Sequence, residues 1–427
     1  MRIVLFGFGS RGDVQPLIAL GKGLRAAGYD VAIAAAINFQ GWIAEHGLDF
    51  EPVHVDIEAY VRMDAGQEWL GNSSSSPRRE LQNMKRMADG VADTVADDIL
   101  RMAGRADVFI SGVLTVEALA AVAQARGTRH LVALLAPFAP TRSGPAGVQA
   151  LFPRADCAVN RWWGYFIELA LFDALRGPSD ATRARLGLPR ATRGGFLRAW
   201  NRTPTVIGAS PLVTPPPPDW GAHIHVTGYW FLDGAADWRP SPALDAFLRA
   251  GPPPVYIGFG SMSNRDPQGT TQTMIAALQA AGQRGIIHSG WAGLRAEHLP
   301  PGVFLLDDAP HDWLFPHMAA VVHHGGAGTT GAGLRAGVPS AVVAHIGDQW
   351  YWGRRIHELG VGAAPLRRHR LNADRLAALI SAMTGADAPA MRRRAAALGA
   401  RIRAEDGVGR AVQIISRLLD APGPTPP

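Results

Sequence analysis

Short apolar runs alternate with longer amphipathic segments along much of the chain. Residues 2–7 form the first apolar run, a glycine-rich turn follows, and leucines recur at helical spacing over residues 14–27. A run of this length is typical of a buried strand, and a 3.6-residue period is typical of a helix packed on a sheet. Because the two patterns alternate, we predict an α/β fold of parallel, doubly wound sheets. The further predicted strands are 31–36, 107–110, 129–135, 255–259, 285–288, 303–306, 320–323 and 340–343, and the further predicted helices are 267–281, 329–336, 351–359, 388–404 and 408–419.

Four consecutive prolines at residues 215–218 interrupt this alternation. Polyproline segments are extended and semi-rigid, which suits a connection between domains. The chain has 427 residues, enough for two domains of ordinary size. We therefore expect an N-terminal domain at 1–214, a linker at 215–222, a second domain at 223–405, and a terminal helix and tail at 406–427 that could pack back on the first domain.

The net charge of +6 raises the question of nucleic-acid binding. Because the basic residues are almost all arginines scattered along the sequence, we expect no nucleic-acid partner; the positive excess favours an anionic ligand such as a diphosphate. The single cysteine, Cys157, excludes an internal disulfide and fits a reducing compartment. The first apolar run is too short for a signal peptide or a membrane span, so we expect a soluble, cytoplasmic protein.

A G-x-G-x-x-G pattern occupies residues 7–12, between the first strand and the first helix. A dinucleotide site of this type also needs a carboxylate at the end of the second strand. Residues 34–38 read Ala-Ala-Ala-Ile-Asn there, so we predict neither a nicotinamide nor a flavin cofactor. Asp13 follows the pattern and has two interpretations: it caps the helix, or it removes a proton from an acceptor hydroxyl.

The most informative segment is 321–330, Val-Val-His-His-Gly-Gly-Ala-Gly-Thr-Thr, where a strand runs through glycines into a helix. Glycines allow a ligand to approach the backbone, and a helix N terminus attracts anions. His324 and Thr329 add donors, so the segment resembles a diphosphate cradle. No Walker lysine follows the glycines, which excludes a P-loop. The alternative is an ordinary tight turn with a helix cap.

Two further strand ends carry polar side chains. Residues 258–261, Gly-Phe-Gly-Ser, place Ser261 where it could donate to a phosphate oxygen. Asp348 and Gln349 combine an acceptor with an amide, which suits the hydroxyls of a sugar ring. The alternatives are a simple turn for the first segment and a helix cap for the second.

No Asp-x-Asp pair lies near these segments. His323 and His324 are adjacent, so on a strand they point to opposite faces and do not share one metal ion. We therefore predict no catalytic metal. A leaving diphosphate would be stabilised by the helix N terminus and by the histidine, serine and threonine donors.

These motifs together resemble a known enzyme family. Residues 9–16, Gly-Ser-Arg-Gly-Asp-Val-Gln-Pro, are similar to the start of bacterial and fungal sterol glucosyltransferases and of glycopeptide-antibiotic glycosyltransferases. Residues 323–349 resemble the donor-binding signature of the same family. The chain is identified on these motifs as a member of the GT-B-fold, family 1 glycosyltransferases. The resemblance implies two Rossmann-like domains facing across a cleft, the first binding the acceptor and the second binding a nucleotide sugar.

The resemblance also implies roles for individual residues. Asp13 occupies a position where many members carry a catalytic histidine, and it becomes the implied general base. Asp348 and Gln349 would bind the sugar, and His311 would contact the nucleobase. The full set of implied donor-binding residues is Ser261, His311, His324, Gly326, Gly328, Thr329, Asp348 and Gln349.

Two positions depart from the family pattern. Plant members hold the ribose with a glutamate, whereas the aligned place here is near Ala332, so the nucleotide stays open between UDP and TDP. The acid that assists the catalytic histidine of other members is not evident around Ser111 and Gly112. Asp13 would therefore act without a histidine partner, and its activation is left unexplained.

Aromatic residues in the first half indicate a large apolar acceptor. Trp69, Phe138, Trp162 and Tyr165 are the candidate contacts, with ordinary core packing as the alternative. A sterol, a polyketide antibiotic or another lipid would fit, and a sterol acceptor would allow loose membrane association.

The expected reaction is metal-independent, inverting transfer of a hexose, most simply glucose, to a hydroxyl of this acceptor. The nucleotide sugar, UDP-glucose or a TDP-sugar, is a co-substrate, and no cofactor is expected. The alternatives are a sugar-nucleotide epimerase of the same fold and a binding subunit without chemistry.

Overall fold

The computed structural model describes residues 1–55, 77–234, 238–260, 266–289, 299–386 and 388–421. The chain divides into two compact units. The N-terminal unit comprises residues 1–55, Arg78–Leu232 and the chain from Asp406 onward, and the C-terminal unit comprises the described residues of Asp233–Glu405.

The N-terminal unit contains a parallel sheet of seven strands. The strands are β1 (Arg2–Phe6), β2 (Asp30–Ala36), β3 (Asp49–Val53), β4 (Val108–Ser111), β5 (Arg129–Leu134), β6 (Thr205–Ile207) and β7 (Ile224–Val226), in the order β3-β2-β1-β4-β5-β6-β7. Among the described residues up to Leu232, the helices are α1 (Arg11–Ala26), α2 (Gln40–Glu45), α3 (Pro77–Ala103), α4 (Val116–Arg126), α5 (Ala158–Arg185) and α6 (Arg193–Trp200), with a 3₁₀ turn at Ile37–Phe39.

Helices cover both faces of this sheet, which explains why its central strands β1, β2 and β4 are almost continuously apolar. In β1, Ile3 and Leu5 contribute to the core under α1, whereas Val4 and Phe6 contribute to the core under α3 and α4. All four side chains are fully buried. The strands therefore show no polar alternation, and only their length and glycine-bounded ends identify them.

The C-terminal unit contains a second parallel sheet, of six strands. These are β8 (Val255–Gly258), β9 (Gly285–His288), β10 (Val303–Leu306), β11 (Ala320–His323), β12 (Ser340–Ala344) and β13 (Leu366–Arg367), in the order β10-β9-β8-β11-β12-β13. Its helices are α7 (Pro242–Arg249), α8 (Pro267–Ala280), α9 (His311–Leu314), α10 (Ala327–Ala336), α11 (Gln349–Glu358), α12 (Ala373–Thr384) and α13 (Ala388–Arg403), with 3₁₀ turns at Phe315–His317 and Arg368–Arg370.

The last helix, α14 (Gly407–Asp420), belongs to the N-terminal unit and packs against α1. Gly23 of α1 permits this approach, since a Cβ atom there would lie 2.6 Å from a methyl carbon of Val408. Ile415 is buried in the core shared with α1. Arg129 donates to the carbonyl oxygens of Leu419 and Ala421, which fixes the helix end at the start of β5.

The boundary between the units differs from the expected linker at 215–222. The two units separate between Leu232 and Asp233, and residues 215–222 lie inside the first unit. The physical reason is β7, which pairs in parallel with β6 and extends the first sheet beyond the prolines. The proline run is therefore a connection within one unit.

No helix of the described ranges is long and apolar enough to cross a membrane.

Candidate active site

The first part of the candidate site is the turn between β1 and α1. Ser10 is the N-cap of α1 with extended backbone angles, and Asp13 is the third helical residue. Asp13 Oδ2 accepts hydrogen bonds from the Ser10 backbone N–H at 2.7 Å and from Ser10 Oγ at 3.2 Å. This is a capping box. Gly9 has φ of +151°, and a Cβ atom there would lie 2.2 Å from Asp13 Oδ2, so the cap requires this glycine.

The environment of Asp13 shifts its protonation. Desolvation by surrounding protein atoms raises the pKa of the carboxyl group, and the two hydrogen bonds from Ser10 oppose this rise. Part of the Asp13 surface is nevertheless exposed to solvent. The carboxylate is therefore a stronger base than an ordinary aspartate and can still exchange its proton with solvent.

At the end of β4, next to β1, Ser111 and His130 of β5 form an uncharged pair, where other members of the family would have an acid. Ser111 ends β4 beside Phe6 of β1, and its Oγ lies 2.8 Å from His130 Nε2. Burial lowers the pKa of His130 to about 4, so this histidine is neutral at physiological pH. Asp13 therefore has no carboxylate partner from β4.

The second part of the candidate site is the turn between β11 and α10. Gly326 is the N-cap of α10, and Gly325, with φ of +96°, donates its N–H to His323 Nδ1 at 3.1 Å. The His324 ring packs between two glycines. A Cβ atom would lie 3.0 Å from the ring at Gly260 and 2.5 Å from Nε2 at Gly326. These two glycines make room for the imidazole at the helix N terminus.

Several histidines at this sheet edge are neutral. Burial lowers the pKa of His324 to about 4 and that of His345 to about 3, and it lowers the pKa of His323 strongly. Within the described residues, three buried atoms here have no hydrogen-bond partner: His323 Nε2, His324 Nδ1 and Thr330 Oγ1. Buried polar atoms without partners are costly. The cluster therefore has hydrogen-bonding capacity that a ligand could use.

The third part of the candidate site is the start of α11, after β12. Asp348 Oδ2 accepts a hydrogen bond from Trp352 Nε1 at 2.7 Å. Gln349 is 5% exposed, and its Oε1 accepts from the backbone N–H groups of His345 at 2.7 Å and Ile346 at 3.1 Å. The Gln349 side chain thus holds the loop after β12, and Asp348, half-buried, lies at the helix start.

The sheet order brings most of the sequence-derived donor residues to one edge. Strands β8, β11 and β12 are consecutive neighbours, so Gly260, His324 and Asp348 follow adjacent strand ends. Gly326, Gly328 and Thr329 belong to the same turn and first helical turn as His324. His311 begins α9 after β10 and stacks on Phe315 at a ring distance of 4.3 Å. Ser261 lies outside the described residues.

The aromatic acceptor candidates that the structure describes do not all line one pocket. Phe138 lines an apolar pocket of the N-terminal unit. Trp162 is 74% exposed and Tyr165 lies beside Arg161, whose guanidinium is 5.8 Å from the ring centroid; the pocket lining includes neither aromatic residue. Trp69 lies outside the described residues. The pocket uses other positions of α5, such as Ile167 and Leu171, and the assignment of Trp162 and Tyr165 to the acceptor stays a prediction.

Sequence reasoning missed two acidic residues of this pocket, Glu117 on α4 and Glu168 on α5. Burial raises the pKa of Glu117 to about 7 and raises that of Glu168 well above its usual value. The available signal was the position of Glu168 within the apolar stretch 165–172.

Across the described ranges, no group of three or more histidine, cysteine or acidic residues has a metal-binding arrangement.

Comparison with known proteins gives the family. Residues 3–131 match the glycosyltransferase family 28 N-terminal domain, and residues 274–415 match the C-terminal domain of erythromycin biosynthesis protein CIII-like proteins. A sterol 3-beta-glucosyltransferase of Arabidopsis thaliana is 34% identical over 100% of this chain and 69% of its own length. The chain belongs to the GT-B-fold, family 1 glycosyltransferases. A sterol 3-beta-glucosyltransferase of Neosartorya fischeri is 36% identical to this glycosyltransferase over 98% of the chain but only 30% of its own length.

Solved structures support the fold of this glycosyltransferase. The calicheamicin glycosyltransferase superposes with a TM-score of 0.69 at 17% identity, covering 99% of this chain and 100% of the other. The glycosyltransferase of kitacinnamycin gives 0.67 at 20% identity, covering 97% and 98%. Both sheets of the enzyme are therefore those of a GT-B fold.

Proposed function

We propose that this enzyme transfers glucose from a nucleoside diphosphate sugar to a hydroxyl of a sterol-like or polyketide-like acceptor, with inversion and without a metal ion. The observation that carries the proposal is the pairing of two features. A capped Asp13 with a raised pKa follows the first strand of one unit, and a histidine-lined helix N terminus follows a central strand of the other.

The C-terminal unit would bind the donor. The unpaired N–H groups at the start of α10 favour the diphosphate. His324 is held neutral and can donate one N–H to a phosphate oxygen, and Thr329 lies on the same first turn. These donors would stabilise the charge that develops on the leaving diphosphate, so the proposal needs no metal ion. Asp348, anchored by Trp352, would accept from a sugar hydroxyl.

The N-terminal unit would bind the acceptor and supply the base. Asp13 Oδ2 is committed to Ser10, so Oδ1 would take the proton of the acceptor hydroxyl as its oxygen attacks the anomeric carbon. The bond from that carbon to the diphosphate breaks, and the nucleoside diphosphate leaves with the electron pair. Because Asp13 is exposed, its proton can then pass to solvent. The raised pKa of Asp13 supports this role, because it would make the carboxylate a stronger base than an ordinary aspartate.

The acceptor class rests on the pocket and on the relatives. The apolar pocket that Phe138 lines follows the ends of β4 and β5, at the same edge of the sheet as Asp13. Relatives at 34–36% identity are named sterol 3-beta-glucosyltransferases, which favours a sterol-like ring system and glucose as the sugar. A related structure was solved with thymidine diphosphate, so a TDP-sugar is the second donor to test.

The test is incubation of the purified chain with UDP-glucose or TDP-glucose and a panel of sterols and polyketides, followed by mass spectrometry. The proposal expects a hexose added to at least one hydrophobic acceptor, with the opposite anomeric configuration to that of the donor. Turnover of the nucleotide sugar to an epimer without any acceptor would instead favour the epimerase. Nucleotide binding without any product would favour the binding subunit.

A further inference from the structure

The apolar pocket of the N-terminal unit is built mainly on one face of α5. Ile167, Glu168, Leu171, Phe172 and Leu175 line it at the three- and four-residue spacing of a single helical face. Together with Gly164 this face runs for about 16 Å along the helix. Its length and composition suit a fused-ring or extended apolar compound.

The remaining walls are mostly apolar, with Gln149 and Arg176 as polar residues in addition to the two acids. Val113, Leu114 and Val116 follow the end of β4, Phe138 follows β5, and Phe196 and Trp200 come from α6. Phe172 and Phe196 stack at a ring distance of 4.7 Å, which stiffens the junction between α5 and α6. The pocket therefore has a preformed apolar surface, as small-molecule sites usually do.

Two carboxyl groups interrupt this surface. Glu168 is only 6% exposed, and within the described residues neither of its oxygens has a hydrogen-bond partner. The nearby Trp200 side chain lowers the pKa of Glu168 against the larger rise that burial causes, although it is not in standard hydrogen-bond geometry with either carboxyl oxygen. Glu117 Oε1 is buried without a partner in the same way. A pocket that served only to bury hydrocarbon would have no use for these groups.

The nearby cations do not neutralise these acids. Arg176 lines the pocket but pairs with Asp180 at 3.0 Å. Arg183 lowers the pKa of Glu117, yet its guanidinium bonds to Gln124 and to the carbonyl oxygen of Pro189. Burial consequently dominates, and the acids favour their neutral form. A neutral carboxyl can donate one hydrogen bond and accept another.

We infer that Glu168 and Glu117 select an acceptor that carries a second neutral oxygen, a hydroxyl or a carbonyl, in addition to the hydroxyl that receives the sugar. The inference rests on the proposed function for the assignment of this pocket to the acceptor. The second oxygen is distinct from the attacking one, since Asp13 is not part of the pocket lining. An uncharged oxygen fits better than an ammonium group, because an ion pair here would pay desolvation on both partners.

A plain sterol would leave both acids unsatisfied, whereas an oxygenated ring compound would satisfy them. Leaving a buried polar group unpaired is more costly than the net gain of an average hydrogen bond. The pocket should therefore bind an oxygenated sterol or polyketide about tenfold more tightly than an unsubstituted analogue of the same size.

The test measures binding, not transfer. Intrinsic tryptophan fluorescence of the full chain, to which Trp200 of the pocket lining contributes as one of twelve tryptophans, would be titrated with cholesterol and with derivatives bearing one extra hydroxyl or keto group on a ring or on the side chain. Glu168→Met and Glu117→Met replace each acid with a flexible apolar side chain of similar length. Glu168→Gln keeps a neutral hydrogen-bonding group, and exposed Glu45→Met is the matched control.

The expected result is about tenfold tighter binding of at least one oxygenated derivative by the wild type. Glu168→Gln and Glu45→Met should keep this preference, and Glu168→Met should lose it while binding cholesterol more tightly. Equal binding of all ligands by the wild type would overturn the inference, as would a preference that survives both Met substitutions. Glucose transfer to cholesterol together with equal binding of all ligands would support the proposed function and overturn the inference about the two acids. A Glu168-dependent preference for oxygenated ligands without any glucose transfer would support the inference and contradict the proposed function.

Discussion

The backbone N–H of Ser10 donates to Asp13 Oδ2 at 2.7 Å, and the Ser10 hydroxyl donates to the same oxygen at 3.2 Å. One residue therefore both caps α1 and orients the carboxylate that the proposal uses as base. Because both bonds stabilise the charged form, they limit how far desolvation raises the pKa of Asp13.

Ser10→Ala removes the hydroxyl bond and keeps the backbone bond. The pKa of Asp13 should rise further, so the acidic limb of the kcat/KM profile should move to higher pH, by a few tenths of a unit to about one unit. At pH values above the acidic limbs of both proteins, kcat/KM of the variant should stay within several-fold of the wild-type value. The measurement is a pH–rate profile of both proteins, and a shift of the limb to lower pH would contradict the role given to Ser10.

Gly326→Ala tests the position of the His324 ring at the donor site. A Cβ atom at residue 326 would lie 2.5 Å from His324 Nε2, so the ring must move away from the helix N terminus. Loss of one hydrogen bond to a charged phosphate should weaken nucleoside diphosphate binding about tenfold or more.

The matched control is Gly302→Ala, in the same unit, where a Cβ atom would meet no other atom within 4 Å. The UDP dissociation constants of the wild type, Gly326→Ala and Gly302→Ala are measured by calorimetric titration. Equal UDP affinity in Gly326→Ala and the wild type would remove His324 from the diphosphate site.

Glu117 should make the stability of the N-terminal unit depend on pH. Its pKa is about 7 in the folded chain against 4.5 for the free side chain, so the folded state holds the proton more tightly. The stabilisation by this group is complete below about pH 4.5 and is lost as the pH rises towards 7.

Glu117→Gln should remove this dependence. Relative to the variant, the wild type should lose about 2–3 kcal/mol of unfolding free energy between pH 4.5 and pH 7. Urea unfolding of both proteins at the two pH values gives the double difference, with exposed Glu45→Gln as the control for loss of one carboxylate. A wild type that instead gains stability relative to the variant as the pH rises would mean that the folded state favours the ionised form of Glu117.

Periodicity was enough for the central strands and for several helices, but the two longest helices, α3 and α5, were not predicted. The predicted strand 320–323 agrees with β11, and the predicted helix 388–404 agrees with α13 to within one residue, because a continuous apolar run and a 3.6-residue period are local properties. The short strands β6 and β7 were missed, since three residues carry no period and pairing within the sheet determines them. That pairing also places the prolines inside the first unit.

The chemistry of the site was only partly visible in the sequence. Glycines and histidines at a strand end indicated the turn before α10, but not that Gly260 and Gly326 enclose the His324 ring. Glu168 was missed because its burial depends on α4 and α6, which lie far away in the sequence. Such non-local burial changes a pKa without leaving a motif.

The base assignment is tested most directly by Asp13→Asn, which keeps an oxygen to accept from Ser10 and removes the proton acceptor. The measurement is kcat at saturating nucleotide sugar and acceptor, with the UDP dissociation constant determined in parallel. The account predicts that kcat falls by about 10²- to 10⁴-fold while UDP affinity stays within about twofold. A variant that retains kcat within a few-fold of the wild type would contradict Asp13 as the base.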